Sequence, residues 1–553
     1  MYSLTKGKNK EPHSTQLQVG LSGLSKHIVM FEPSGLRISV DEECTLLEAI
    51  RMVGLHLPSQ CGGAGTCGKC ALVLSPASEP TSVERKHLSS EEIRQGVRLA
   101  CQQRVNSNLR VVIYSKSGET KILTEGITLA SDWTPDPGFD GKYGIAIDLG
   151  TTTIVAYLLS LDTGVQLNQA STLNPQVIYG EDVISRITYA VREQNGLNDL
   201  GIKVTSEISS IINSLTDTSE IEINNISKIV IVGNTAMHHL VLGANVEKLG
   251  VAPYTPSIQD AVVTSGSKLN LIDIPDVEIF LPPNIAGFVG GDTVGFILSQ
   301  RLDLSDKIVV GIDVGTNGEI VLSNRGDLSC CSAAAGPAFE GATIRYGMRG
   351  QEGAIEYVKI KDLNTLPEIS VIGNVTPRGI CGSAIVDCVA ELRNVNILDS
   401  TGRMQTNSPL VYNDESFGRS YPLVKENTDS RRISFTQKDV RQVQLAKAAI
   451  SAGVKILLQE AKIDMDDVES VMLAGAFGSY IRPDSAIRIG LLPPIKREQV
   501  IQVGNAAGEG AKALLLSSKA RDVANEFVSK ISYVELASHP DFQSIFLDSV
   551  SLP

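Results

Sequence analysis

An internal repeat is the feature that most constrains the fold of this 553-residue chain. The segment YGIAIDLGTTTIVAYLLS at 143–160 is matched by IVVGIDVGTNGEIVLSN at 308–324, and IVIVGNTAMHHL at 229–240 is matched by SVMLAGAFGSYI at 470–481. The first pair predicts a strand that ends in aspartate, a Gly-Thr turn and a second strand. The second pair predicts an apolar strand that leads into a helix start. Such a duplication indicates two related α/β halves that face each other across a cleft.

The remainder of the chain differs in character from this duplicated region. Residues 1–26 are polar and mixed, which predicts a disordered tail. Residues 27–115 hold short alternating apolar segments around one helical stretch, TLLEAIRMVGL, a pattern that favours a β-grasp fold. Residues 116–142 include TPDPGFDG and are predicted to be a linker. The α/β domain is expected at 143–553, with a first half at about 143–300, a second half at about 306–520 and an insertion at about 338–434.

The net charge and the cysteine content restrict the classes of function that this chain can have. The formal net charge of −13 disfavours nucleic acid and anionic membrane surfaces as partners. The sequence shows neither an uninterrupted run of about 18 apolar residues nor an ordinary secretory signal. Nine cysteines are present, an odd number, and three of them lie within ten residues of one another. This pattern indicates a metal site rather than a disulfide framework, so we expect a cytoplasmic protein.

The clustered cysteines have the spacing of an iron–sulfur site. Cys61, Cys67 and Cys70 form C-x5-C-x2-C, and Cys101 follows at a distance. Plant-type [2Fe–2S] ferredoxins use C-x4-C-x2-C and a distant fourth cysteine. The extra residue here resembles the vertebrate and bacterial hydroxylase-type ferredoxins. The small residues between the cysteines allow backbone N–H groups to point at the sulfurs. We predict that the four cysteines bind a [2Fe–2S] cluster, with Cys101 at the entrance to the last strand.

A zinc site with four cysteine ligands is the alternative. Zinc sites usually combine two C-x2-C pairs, and this region has one. The other cysteines are expected to be small buried apolar residues, and the last four of them lack the spacing of a second cluster. They are Cys44, Cys330, Cys331, Cys381 and Cys388.

The duplicated motifs resemble those of the superfamily of actin, sugar kinases and heat-shock chaperone ATPases. This resemblance implies phosphate loops that begin at Asp148 and at Asp313 and an adenosine motif at 474–478. Glycines in such loops let backbone N–H groups approach phosphate oxygens, and Thr and Asn side chains add further donors. The implied nucleotide-binding residues are Gly150, Thr151, Thr152, Gly315, Thr316, Asn317, Gly475 and Gly478.

The same resemblance implies that Asp148 and Asp313 are the catalytic residues. They would face each other, bind Mg²⁺ through water and position the attacking water molecule. Asn234 and Glu340 are further nucleotide-binding candidates, and Asp292 lies where the two halves should connect. For each of these three, a turn, a helix cap or packing is an equal alternative.

The order of the modules resembles the reductive activators of corrinoid proteins, an enzyme family with an N-terminal [2Fe–2S] domain and a C-terminal actin-like ATPase domain. The resemblance extends over PPNIAGFVGGD, AGPAFEGATIRYGMRG, RGICGSAIVD and FTQKDVRQVQLAKAAI. It implies ATP-dependent reduction of cob(II)alamin to cob(I)alamin in a corrinoid protein of a methyltransferase system, with electrons from a low-potential donor. Coupling to ATP is reasonable because a downhill electron transfer needs no hydrolysis.

Other functions remain open at this level. The chain could activate a different low-potential enzyme, phosphorylate a small molecule under redox control, or act as a redox-responsive scaffold that binds nucleotide without hydrolysing it. The sequence names neither the corrinoid protein nor the electron donor, and it leaves a homodimer open.

Overall fold

The computed structural model describes residues 26–32, 37–42, 44–53, 55, 57, 59, 61–88, 90–112, 133–315, 317–425 and 432–553. The predicted tail, except for Lys26, lies outside these residues, as do most of the predicted linker and Thr316.

The N-terminal unit is a five-stranded sheet with one main helix. The strand order is β2-β1-β5-β3-β4, and β1 pairs parallel with β5 while the other pairs are antiparallel. Thr45 and Glu48 form a capping box that starts the main helix, as TLLEAIRMVGL predicts. This arrangement confirms the β-grasp prediction. The elements are β1 (Lys26–Glu32), β2 (Arg37–Asp41), α1 (Leu46–Met52), β3 (Ala71–Ser75), α2 (Glu84–His87), α3 (Ser90–Arg94), β4 (Val97–Leu99) and β5 (Leu109–Val112).

The first half of the α/β region is built on a six-stranded sheet of order β10-β11-β9-β6-β7-β8. Its elements are β6 (Tyr143–Leu149), β7 (Thr153–Ser160), β8 (Gln166–Leu173), α4 (Val183–Arg192), α5 (Gly196–Thr218), β9 (Ile226–Val232), α6 (Thr235–Val241), β10 (Val262–Ser265), β11 (Glu278–Leu281) and α7 (Gly291–Gln300).

The second half contains another six-stranded sheet, of order β22-β21-β12-β13-β14-β23, and two three-stranded sheets, β16-β15-β17 and β18-β19-β20. Its elements are β12 (Ile308–Val314), β13 (Gly318–Asn324), β14 (Asp327–Ala333), β15 (Ala354–Lys359), β16 (Glu368–Val371), β17 (Gly379–Ile380), α8 (Gly382–Asn394), β18 (Tyr412–Asp414), β19 (Gly418–Val424), β20 (Ile433–Thr436), α9 (Gln437–Ala461), β21 (Ser470–Ala474), α10 (Gly475–Tyr480), α11 (Pro483–Arg488), β22 (Val500–Gly504), α12 (Ala506–Leu516), α13 (Ser518–Val528), β23 (Ser532–Tyr533) and α14 (Phe542–Ser549).

The two large sheets share the order of five strands, and the sixth strand, β10 in the first sheet and β23 in the second, lies at opposite edges. In the first, β6 pairs antiparallel with β7 and parallel with β9, and Asp148 lies opposite Val232. In the second, β12 pairs antiparallel with β13 and parallel with β21, and Asp313 lies opposite Ala474. The repeat seen in the sequence is therefore a structural duplication, and it places the two aspartates at equivalent strand ends.

A shared hydrophobic core joins the two halves. It combines Tyr157 of the first sheet, Phe296 of α7, Leu514 of α12 and Val309 of the second sheet, all of them buried. Burial of such side chains is worth about 1.5–3 kcal/mol each. The halves are thus fastened at α7 and α12, and the space between them is left for a cavity.

The end of the predicted linker packs on this core. Trp133 and Phe139 contact it, and Asp136 accepts hydrogen bonds from the backbone N–H and the hydroxyl group of Ser518.

Among the described residues, no helix has the length and apolar character needed to cross a membrane.

Candidate active site

Three of the four predicted cluster cysteines lie on residues 59–70, which connect α1 to β3 and are called the cysteine loop below. Cys70 is buried, and Cys61 and Cys67 are half-buried. Cys101 lies in a 3₁₀ turn that follows β4, so the prediction that it enters the last strand is wrong. The turn bends the chain out of the extended direction of β4, and this brings the sulfur of Cys101 to 3.4 Å from that of Cys70.

The four sulfurs interact in two pairs. Interaction with the Cys67 side chain lowers the pKa of Cys61 to about 4, and interaction with Cys61 together with burial raises the pKa of Cys67. The thiol of Cys70 donates to Cys101 and lowers the pKa of Cys101 to about 7. One sulfur of each pair is therefore stabilised as a thiolate, the form that binds metal.

The backbone of the cysteine loop also stabilises negative charge on sulfur. The backbone N–H groups of Cys67, Thr66 and Gly63 interact with the sulfur of Cys61 and help to lower its pKa. The loop reaches this conformation through positive φ angles at Gly62, Gly63, Gly65 and Gly68. Four thiols in two pairs, surrounded by amide donors, are the donor set that a [2Fe–2S] cluster requires, so the residues fit this cofactor.

The other cysteines are dispersed. Cys330 and Cys331 are neighbours on β14, Cys388 is inside α8, and Cys381 immediately precedes α8; all four are buried. Burial raises the pKa of each of these thiols. Across the described ranges, no three His, Cys, Asp or Glu side chains are grouped so as to hold a metal ion directly.

A cavity of about 670 Å³ opens between the two halves of the α/β region. Ten of the predicted nucleotide-site residues line it, whereas Gly478 does not, and Thr316 is outside the described residues. The ten are Asp148, Gly150, Thr151, Thr152, Asn234, Asp313, Gly315, Asn317, Glu340 and Gly475. The structure therefore brings both predicted phosphate loops to one cavity, and the assignment of nucleotide contacts to these residues stays a prediction.

Four carboxyl groups are concentrated at one end of the cavity, on Asp148, Asp292, Asp313 and Glu319. Burial raises the pKa of Asp148 and of Asp313 to about 7, and the neighbouring carboxylates contribute to the shift of Asp313. Burial likewise raises the pKa of Asp292 to about 6 and that of Glu319 well above its ordinary value. Mutual repulsion in a buried site makes this group a strong attractor for a cation, which is the chemistry that Mg²⁺ would satisfy.

Two asparagines hold this end of the cavity in place. Asn505 caps α12 by accepting from the backbone N–H of Gly508, and its amide group donates to Asp148 Oδ2 at 2.9 Å. Asn234 caps α6, and its amide group donates to Thr151 Oγ1 at 2.9 Å. The alternative reading of Asn234 as a helix cap is therefore correct, and the residue also orients a predicted phosphate-loop hydroxyl group.

Apolar side chains also line the cavity. The rings of Phe339 and Phe477 are stacked with centroids 4.9 Å apart, and Met348 and Ile372 belong to the same lining. A cavity that combines carboxylates and glycine turns with aromatic rings suits a molecule that combines phosphates with a planar base.

Several residues that line the cavity were not predicted from the sequence. Glu319 lies directly opposite Asp313 in the β12–β13 hairpin, so the alternation of strand residues could have indicated it. Asn505, Arg349 and Arg482 are distant in sequence from both phosphate loops, and only the fold brings them to the cavity.

Gly475 provides a test of the cavity. Its φ is +81°, and an added Cβ would lie 2.4 Å from Asp313 Oδ1. We expect Gly475→Ala to displace this carboxyl group and to weaken the binding of a fluorescent ATP analogue about tenfold or more, since 1.4 kcal/mol corresponds to one factor of ten. Gly478→Ala is the matched control because its Cβ would meet nothing closer than 3.4 Å. Equal loss of binding in both variants would contradict this assignment and favour a direct role for Gly478.

Comparison with known proteins agrees with these observations. Residues 29–106 match the family model of the 2Fe-2S iron-sulfur cluster binding domain, 143–305 match the RACo middle region, and 307–553 match the C-terminal domain of RACo, the ASKHA domain. The chain is 38% identical over 415 residues to the corrinoid activation enzyme RamQ of Eubacterium limosum, which covers 73% of this chain and 69% of the relative.

Two further similarities extend over most of the chain. A [Co(II) methylated amine-specific corrinoid protein] reductase of Methanosarcina barkeri is 24% identical over 441 residues, covering 74% of this chain and 77% of the relative. The solved structure of a reductive activator for corrinoid, iron-sulfur protein is 30% identical, with a TM-score of 0.68 and coverage of 95% of this chain and 98% of that one.

Fold and site together define an iron–sulfur protein fused to a duplicated ATPase domain of the actin and sugar-kinase type. The chain belongs to the RACo family, the reductive activators of corrinoid proteins.

Proposed function

We propose that this protein couples ATP hydrolysis to the one-electron reduction of cob(II)alamin to cob(I)alamin in a corrinoid protein of a methyltransferase system. The observation that carries the proposal is that the cysteine loop packs against the ATPase domain beside the cavity. Lys69, which precedes Cys70, donates through its ammonium group to the carbonyl oxygen of Ile344 at 2.7 Å. A one-electron carrier placed there can respond to what happens in the cavity.

The four cysteines hold the redox group. When bound, a [2Fe–2S] cluster supplies one-electron transfer at a potential near roughly −400 mV in plant-type ferredoxins. The four cysteine thiolates would bind the iron, and the amide donors of the loop would stabilise the negative charge that this group carries. The acceptor of this electron would be the cobalt of a separate corrinoid protein.

The cavity residues bind and hydrolyse ATP. Asp148 and Asp313 would hold Mg²⁺, which would neutralise charge on the phosphates, and they would orient the attacking water molecule. The glycine turns at Gly150 and Gly315 would direct backbone N–H groups to the phosphates. Asn505 keeps the carboxyl group of Asp148 in place. Binding of a nucleotide between two halves that are fastened at one end can shift their relative position by a few kcal/mol, which is sufficient to favour one state of a partner.

We also propose what the sequence predicts about the electron donor, the compartment and the partners. A low-potential protein supplies the electrons, the reaction takes place in the cytoplasm, and neither nucleic acid nor a membrane is a partner. Which methyl donor feeds the corrinoid protein is left open, as is a homodimer.

An anaerobic assay tests the proposed function. It combines the iron–sulfur-loaded protein, a chemical reductant, Mg-ATP and a corrinoid protein that holds cob(II)alamin, and it follows cobalt absorbance and phosphate release. We expect cob(I)alamin to form with ATP and to stay at background with a non-hydrolysable analogue. If no cob(I)alamin forms with ATP, the proposal fails. Nucleotide binding without phosphate release would support the scaffold alternative instead.

A further inference from the structure

The cysteine loop contacts both halves of the ATPase domain. On the first half, Glu181 Oε1 accepts a hydrogen bond from the backbone N–H of Ser59 at 3.3 Å. On the second half, the carbonyl oxygen of Ile344 accepts from the ammonium group of Lys69 at 2.7 Å. Gly62, next to Cys61, faces the first half, since an added Cβ would lie 3.9 Å from Ser185 Cβ. A change in the distance between the halves must therefore disturb the loop.

The carboxyl group of Glu181 also reaches the cavity. Its Oε2 pairs with Arg349 Nη2 at 3.2 Å, and Arg349 lines the cavity. The side chains of Arg349 and Glu181 are 25% and 11% exposed, so solvent screens this pair less than an ordinary surface ion pair. One carboxylate thus contacts the cysteine loop with one oxygen and a cavity-lining arginine with the other.

A second connection links the same segment to the first phosphate loop. Arg186 is fully buried and donates to the carbonyl oxygen of Gly180 at 2.9 Å and to that of Thr151. The negative charge of Glu181 attracts this buried guanidinium group. Residues 180–186 therefore connect Thr151, which lines the cavity, with the surface on which the cysteine loop rests.

The two arginines that line the described part of the cavity differ in what holds them. Arg482 pairs at 2.8 Å with Asp387, which belongs to the same half, whereas the partner of Arg349 is Glu181 on the other half. A nucleotide phosphate carries more negative charge than a carboxylate and matches the guanidinium fork, so it competes with Glu181 for Arg349.

We propose that Glu181 and Arg349 are positioning residues that dock the cysteine loop on the nucleotide-free ATPase domain and release it when nucleotide phosphates engage Arg349. This inference rests on the proposed nucleotide site and adds the route by which the nucleotide reaches the redox module. Release uncovers the side of the loop around Gly62, beside Cys61, which a corrinoid partner must approach to accept the electron.

Hydrogen exchange of the cysteine loop tests the proposal without any corrinoid protein. In the iron–sulfur-loaded protein under anaerobic conditions, we expect a saturating non-hydrolysable ATP analogue with Mg²⁺ to speed exchange at residues 59–70 about fivefold or more, the lower end of ordinary allosteric coupling. Glu181→Gln removes the charge but keeps the shape. We expect its loop to exchange rapidly without nucleotide and to change little when the analogue is added.

The affinity for the ATP analogue is a second measurement. We expect it to change in opposite directions in the Glu181 and Arg349 variants. Because coupling between sites is reciprocal, loss of docking in Glu181→Gln is expected to tighten analogue binding by about the factor seen in exchange. Arg349→Gln is expected to free the loop equally but to weaken analogue binding, because the phosphate ligand itself is lost.

Glu278→Gln is the matched control. It breaks a comparable ion pair of 3.0 Å with Arg521 that lies away from the cysteine loop, and it should behave like the unmodified protein in both measurements. The proposal is overturned if the analogue leaves loop exchange unchanged in the unmodified protein, or if Glu181→Gln matches Glu278→Gln. Because neither measurement involves cobalt, a failed cob(II)alamin assay would count against the proposed function and leave this result standing.

Discussion

Replacement of Cys70 by serine is expected to abolish the [2Fe–2S] absorbance of the purified protein and to reduce cob(II)alamin reduction to background. Cys70 is 1% exposed and its sulfur lies 3.4 Å from that of Cys101, so a serine hydroxyl group would remove one member of a buried pair. Serine binds iron poorly compared with a thiolate, and loss of even a supporting contact at a metal site costs about 10–100-fold. Iron content, visible absorbance and the cobalt assay measure the effect.

Cys44→Ser is the matched control for this substitution. Cys44 belongs to the same β-grasp unit, but its thiol donates to the carbonyl oxygen of Thr45. Burial raises the pKa of Cys44 to about 11, so it stays a neutral thiol. We expect Cys44→Ser to keep the full cluster absorbance. A full [2Fe–2S] spectrum in Cys70→Ser would show that the ligand assignment is wrong.

Asp313→Asn is expected to remove ATP-dependent reduction of cobalt while the cluster absorbance stays intact. Loss of a charge that stabilises the transition state typically reduces turnover by about 10²–10³-fold, and Asp313 faces three other carboxyl groups at the predicted metal site. Phosphate release and cobalt absorbance measure the loss. Asp327→Asn makes the same charge change at an exposed position of the same sheet and should leave both activities unchanged.

Asp313→Asn is also expected to change how the stability of the protein depends on pH. Burial raises the pKa of Asp313 from 3.8 to about 7, so between these values the folded protein binds more protons than the unfolded chain. Stability contributed by the protonated form is therefore present below pH 4 and is lost as pH rises to about 7. In metal-free buffer, we expect Asp313→Asn to be more stable than the unmodified protein at pH 8 by the order of 1–3 kcal/mol, and to keep only a minor part of this advantage at pH 5.

Thermal unfolding at the two pH values measures this difference. Asp327→Asn should show no such gain, because water already solvates its carboxyl group. If Asp313→Asn were less stable than the unmodified protein at pH 8 without metal, the Asp313 carboxylate would stabilise the fold, which would contradict the expected repulsion among the buried carboxyl groups.

Local patterns made most of the fold predictable. The capping boxes at Thr45 and Thr436 each lie within four residues and start α1 and α9. The strand–turn–strand motifs at Asp148 and Asp313 are equally local, so the duplicated topology could be derived before any contact was known. Cys101 is the exception, because nothing in RLACQQRV distinguishes a strand entrance from a 3₁₀ turn.

The sequence by itself therefore determined the two modules and predicted the four cysteines and the pair of aspartates, since most of these patterns lie within short stretches of the chain. Only the tertiary structure decided which residues complete the site. Asn505 meets Asp148, Phe339 stacks on Phe477, and Glu181 joins the cysteine loop to Arg349. These partners come from separate segments, and their contacts exist because the shared core at α7 and α12 sets the two halves face to face.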